Sequence, residues 1–140
     1  MATYRFWLAF RSITERRIVG KPQILSRLRY VDIVKRCDET AEERAYRIQY
    51  ESLQDWNNKY WAHNNELFNR EKKSYIERHF GHEDAALSHD QLGQFYRDFL
   101  DLSRERHVEY NKAWYRNHIA LLANSINAKL SRIRANLIGK

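Results

Sequence analysis

A chain of 140 residues with one proline, four glycines and one cysteine is about one domain, with a modest core, few places to turn and no internal disulfide framework. No purely apolar run exceeds that of IALLA at 119–123, far below the roughly 20 residues that a membrane-spanning helix needs. The net charge of +7 is unevenly placed: residues 1–36 hold nine Lys or Arg and two acids, residues 37–109 ten and sixteen, and residues 110–140 six and none.

The opening stretch, MATYRFWLAFRSITERRIVG, puts Phe6, Phe10, Ile13 and Arg17 at helical spacing and carries a single acid. This amphipathic, arginine-rich, acid-poor character is that of a mitochondrial transit peptide, expected over residues 1–18, and it also fits an ordinary basic helix. Arg5 and Arg11 break its apolar run, which suits a secretory signal poorly. Pro22 then marks an extended lead-in over 19–39, with no helical stripe and no visible strand alternation.

Thr40 followed by Glu43 forms a capping box, and no breaker follows before Phe80, with Gly81 placed as the C′ residue. The first helix is expected over about 40–80, its stripe traced by Tyr46, Leu53, Trp56, Tyr60, Leu67, Glu71 and Tyr75. After the short loop GHEDAAL, Ser88 and Gln91 form a second capping box. A helix over about 89–103 follows, with Leu92, Phe95, Phe99 and Leu102 in line. The stripe lapses at SRERH, residues 103–107, which reads as a bend or break. A last helix over about 105–138 runs through Ile119, Leu122, Ile126, Leu130, Ile133 and Leu137, with Lys129 and Arg132 away from that line. The fold class is all-α: a helical domain over 40–140, as a long antiparallel hairpin or small bundle.

Trp56 and Tyr60 are four apart and share a helix face, whereas Trp61 points roughly 140° away from Trp56. Trp114 and Tyr115, being adjacent, also diverge. A tight helix–helix core would take Trp56 and Trp114 but leaves Trp61 and Tyr115 for a second surface, and indole and phenol rings anchor protein interfaces. Aromatics beside Lys112 and Arg116 also suit RNA, by stacking on bases and holding phosphates. Of the six histidines, His79, His82 and His89 match no paired-ligand spacing. His107, near Tyr110 and Trp114, is the one place where a haem could be gripped. Lys129, Arg132 and Arg134 would face anionic lipid if the last helix lay on a membrane. No nucleophile motif, P-loop or glycine-rich dinucleotide turn is present, and no enzyme is expected.

The stretches LQDWNNKYWAHNNELFNREKKSYI, LGQFYRDFL and RHVEYNKAWYRNHIA resemble, in order and spacing, the apoptogenic-protein family of mitochondrial cytochrome c oxidase assembly factors. The W-N-x-x-[FY]-W-A pattern falls on Trp56, Asn57, Tyr60, Trp61 and Ala62, with Phe68 following. F-Y-[KR]-[DE]-F-L falls on Phe95, Tyr96, Arg97, Asp98, Phe99 and Leu100. H-x-x-Y-N-x-x-W-Y falls on His107, Tyr110, Asn111, Trp114 and Tyr115. Upstream, IVGKPQILSRLRYV keeps Gly20, Pro22, Ser26, Leu28 and Arg29 of the family's lead-in but carries Ile18, Lys21 and Tyr30 where the family has tryptophan and two prolines. The likeness spans about residues 18–122.

The resemblance implies a mitochondrial protein, peripheral on the matrix side of the inner membrane, that supports complex IV assembly and guards it under oxidative stress. Its partners would be complex IV subunits or intermediates. The docking set would be Trp56, Tyr60, Trp61, Phe68, Phe95, Tyr96, Tyr110, Asn111, Trp114 and Tyr115. An RNA-binding or mitoribosome-associated role is the alternative, and haem handling through His107 a third.

Overall fold

The computed structural model describes residues 16–80 and 88–138; most of the expected transit segment, the loop 81–87 with Gly81 and His82, and the last two residues lie outside them. Four elements follow in order: β1 (Arg17–Pro22), β2 (Arg29–Ile33), α1 (Ala41–Phe80) and α2 (His89–Ile138). The molecule is mostly helical, as its scarcity of breakers dictates, with two long antiparallel helices packed along their length.

The lead-in differs from the expected plain extended segment. β1 and β2 pair antiparallel, with Arg17 opposite Ile33, Ile18 opposite Asp32 and Val19 opposite Val31, and the register shifts before Pro22 meets Arg29. Proline lacks the N–H that would continue the ladder, so pairing lapses there. The connection is closed by Gln23 N–H donating to the Leu28 carbonyl at 2.8 Å and Arg27 N–H to the Gln23 carbonyl at 3.0 Å. Arg27 itself takes a left-handed φ of 63°.

No period-two pattern announced these strands because polar side chains of α1, more than an apolar sheet face, hold them. The Gln54 amide pairs with Val31 in both directions, accepting from its N–H at 2.7 Å and donating to its carbonyl at 2.9 Å. Ser26 donates to Asn58 at 2.8 Å, and Asn65 donates to the Leu25 carbonyl at 2.8 Å.

Both capping boxes form. Glu43 accepts from the Thr40 N–H at 2.9 Å while Thr40 Oγ1 accepts from the Glu43 N–H at 3.2 Å. Gln91 accepts from the Ser88 N–H at 2.9 Å and donates its own N–H to Ser88 Oγ at 3.4 Å. Each box satisfies amide donors that a helix start would leave orphaned.

One expectation for α2 is corrected. Residues 103–107 form no break: α2 runs unbroken from His89 to Ile138. The lapse in the apolar stripe is a polar crossing of the seam, where Ser103 is buried and Arg106 reaches both Asn64 (3.3 Å) and Ser103 Oγ (2.8 Å). The last apolar line does not meet α1. Ile119, Leu122, Ile126, Leu130, Ile133 and Leu137 point away from α1, at 36–71% exposure. Leu121, Asn124, Ala128 and Arg132 face α1 instead, because Gln49, Thr40, Glu43 and Asp38 offer matching polar partners there.

The core is consequently thin and segmented. At one end Phe68 meets Phe95, Tyr96 and Phe99 at ring-centroid distances of 5.2–5.6 Å. At the other, Tyr46, Leu53, Leu121 and Ala128 are buried against Ile33, Tyr50 and Trp56. An aromatic zone lies between.

Candidate functional site

The aromatic zone resolves how α1 accommodates two tryptophans. Leu53, Asn57, Tyr60 and Asn64 mark the line of α1 that faces α2, and Trp56 and Trp61 fall roughly 70° to either side of it. Tyr110 of α2 inserts between these walls. Its ring stacks on Tyr60 at 3.8 Å and on Trp56 at 5.0 Å, while its hydroxyl accepts from Trp61 Nε1 at 2.9 Å and donates to Asn57 at 3.0 Å. One ring thus gathers both tryptophans and a tyrosine, using every edge it has. Asn57 was not singled out for a role in the sequence, since only the fold places it opposite Tyr110.

The remaining aromatics form a row along one edge. Tyr96, His107, Trp114 and His118, separated by eleven, seven and four residues, fall on one line of α2. Tyr96 stacks on Phe68 (5.6 Å), His107 meets Trp61 edge-on (6.2 Å), and Trp114 stacks on His118 (3.7 Å). Trp61 itself shares a face of α1 with Gln54, Asn58 and Asn65, which hold the β-hairpin, so the row runs beside that hairpin. Tyr96 is exposed, and Phe68, Trp61, His107, Trp114 and His118 are half-buried. Phe95 is buried in the terminal cluster, whereas Asn111 and Tyr115 are exposed on the outer side of α2.

Burial raises the Tyr60 hydroxyl above its ordinary pKa, an effect that the nearby Arg106 guanidinium opposes. His107 turns Nδ1 back to the Ser103 carbonyl at 3.0 Å and sits edge-on to Tyr60 and Trp61. Among the described residues no group of three or more His, Cys, Asp and Glu is arranged to hold a metal, and no helix is long and apolar enough to cross a membrane.

The three expected membrane-facing cations separate. Lys129 and Arg134 are exposed, but Arg132 is buried at the base of the hairpin, which removes it from any lipid-facing set. Its Nε donates to Glu43 at 2.8 Å, Nη1 to the Asp38 carboxylate at 2.8 Å and Nη2 to the Asp38 carbonyl at 2.8 Å, with a further bond from Nη2 to Glu43. Beside it Thr40 and Ser131 join hydroxyls at 2.7 Å. A clasp of this kind closes the two ends of the helical pair.

The clasp carboxylates are shifted. Hydrogen bonding from Arg36, with Arg132 nearby, lowers Asp38 to about 2. Burial alone would raise Glu43, but its bonds from Arg132 and the Thr40 N–H outweigh that and leave it lowered. Glu39 is lowered by Arg47, which holds it at 2.8 Å. Groups with depressed folded-state values add stability above the unfolded value and lose it as pH falls through the folded one. The thermal midpoint is therefore expected to fall progressively from about pH 5 toward about pH 2, as followed by helical circular dichroism. A midpoint unchanged between about pH 5 and 3 would contradict this.

A family model described as cytochrome c oxidase assembly factor 8 matches residues 16–134, from the start of the β-hairpin to just past the clasp arginine. The chain belongs to the cytochrome c oxidase assembly factor 8 family. A mitochondrial member from Caenorhabditis elegans is 39% identical over 121 residues, covering 81% of this chain and 82% of the relative. One from Drosophila melanogaster is 30% identical over 117 residues, covering 84% and 66%. The human cytochrome c oxidase assembly factor 8 is 28% identical over 125 residues, covering 82% and 61%. No solved structure matches the chain. Both the aromatic zone and the clasp lie inside the span that matches the assembly factor 8 model.

Proposed function

We propose that the chain is a mitochondrial, non-catalytic factor that promotes or protects assembly of cytochrome c oxidase by docking on a complex IV subunit or intermediate. It works from the matrix side as a peripheral protein of the inner membrane. The observation that supports this reading is the row of incompletely covered rings on one edge of the helical pair. Tyr96, Phe68, Trp61, His107 and Trp114 present rigid amphipathic area with few rotamers to freeze, which is the chemistry of an interface anchor. Trp61 is also braced from behind by Tyr110, so the middle of the row is pre-organised.

Membership of the assembly factor 8 family supports complex IV as the assembly concerned. Depleting the protein from cells is expected to reduce assembled cytochrome c oxidase on native gels while the other respiratory complexes keep their levels. Normal oxidase, or an equal loss of every complex, would overturn the reading. Trp61→Ala reintroduced at normal abundance should rescue poorly.

A further inference from the structure

The outward line of α2 is a second surface, separate from the aromatic row. Its apolar residues span roughly 27 Å but only about 80° of the helix circumference. Isoleucine and leucine alternate along it as Ile119, Leu122, Ile126, Leu130, Ile133 and Leu137. Position 119 recurs at 130, 122 at 133 and 126 at 137, an interval of eleven residues. At about 3.67 residues per turn the line stays nearly parallel to a straight helix axis. An in-plane membrane helix commonly sinks a broad face of tryptophan, phenylalanine and leucine, wider than the arc of about 80° found here. A narrow aliphatic seam with β-branched and γ-branched residues in alternation is the face that one helix offers to another. Among the described residues no other helix takes it: α1 occupies the opposite side of α2, at Leu121, Asn124, Ala128 and Arg132.

Charge selects the partner. Lys129 lies on one flank of the seam and Arg116 and Arg134 on the other; all three are exposed and, among the described residues, have no acidic partner. The sequence has no acid from residue 110 to its end. Seam-to-seam pairing of two copies would oppose like charges, which disfavours a self-complementary dimer. We infer that the Ile119–Leu137 seam docks an amphipathic helix of a partner protein, one with an aliphatic stripe of matching period flanked by Asp and Glu. Its cations would set orientation and encounter rate, and the aliphatic contact most of the affinity.

The test uses the full chain and two labelled synthetic helices with isoleucine and leucine at the same spacing, flanked in one by glutamates and in the other by lysines. Fluorescence anisotropy should show at least tenfold tighter binding of the glutamate helix, with the preference shrinking as salt rises. Ile126→Ser with Leu130→Ser should weaken that binding at least tenfold while leaving the circular dichroism unchanged, because both side chains are exposed. Lys129→Glu with Arg134→Glu should reverse the preference.

Equal binding of the two helices, or binding of neither, would overturn the proposal. So would tighter capture by phosphatidylcholine vesicles with one-fifth cardiolipin that the serine variant abolishes, or a dimer in sedimentation that the same variant dissolves. None of these readings depends on oxidase levels, so the seam and the assembly role stand or fall separately.

Discussion

Replacing Arg132 with methionine is expected to destabilise the protein by about 3 kcal/mol, at the low end of the cost of removing one partner from a buried ion pair. The guanidinium is almost wholly buried and satisfies Glu43, the Asp38 carboxylate and the Asp38 carbonyl at once. Methionine fills similar volume but leaves Glu43 beside an apolar chain, with one fewer cation to hold its proton off. The cost stays at the low end because Glu43 keeps partial access to water and the Asp38 side chain is well exposed. In a chain of this size the thermal midpoint should fall by about 10 °C. Glu43→Gln added to Arg132→Met should restore part of the loss, since the uncompensated charge is then gone. A shift of less than about 3 °C for Arg132→Met alone would mean that water already serves these groups in the folded state.

Truncating Tyr110 to alanine should cost about as much, roughly 3 kcal/mol, through the cavity left between Trp56 and Tyr60. Tyr110→Phe keeps the stacking and loses only the hydroxyl, which accepts from Trp61 and donates to Asn57. About 1 kcal/mol is expected for that change. Tyr60→Phe provides the contrast. The Tyr60 hydroxyl is buried with no hydrogen bond of ordinary geometry among the described residues, only the Arg106 guanidinium nearby, so its removal should cost less than that of the Tyr110 hydroxyl. Denaturant midpoints of the three variants would decide this. Equal costs for Tyr110→Phe and Tyr60→Phe would show that the Trp61–Tyr110–Asn57 chain of bonds contributes little.

Much of this architecture was legible because its signals are local. The Thr40/Glu43 and Ser88/Gln91 boxes are written within four residues each and form as the spacing dictates. The β-hairpin left no such mark, because Gln54, Asn58 and Asn65 hold it by amide pairing from another element. The facing of α2 left no local mark for a related reason. Periodicity identifies an apolar line but does not say which molecule covers it, and here polar residues of α2 found polar partners on α1. The aromatic residues could be chosen from sequence, whereas their grouping could not: Trp56 and Trp61 diverge by roughly 140° on α1 and meet again only because Tyr110 enters between them.

The placement of the clasp also bears on the order of events in folding. Ring contacts between the helices begin where Tyr75 and Phe68 meet Phe95, close in sequence, and end where Thr40 meets Ser131 and Glu43 meets Arg132, about as far apart in the chain as two residues of this hairpin can be. Closing the shorter span first forfeits less chain entropy, so nucleation belongs at the phenylalanine end and the arginine locks last. Stopped-flow traces of Arg132→Met should then show faster unfolding with refolding almost unaltered, making this residue a latch on lifetime rather than a guide to the native topology.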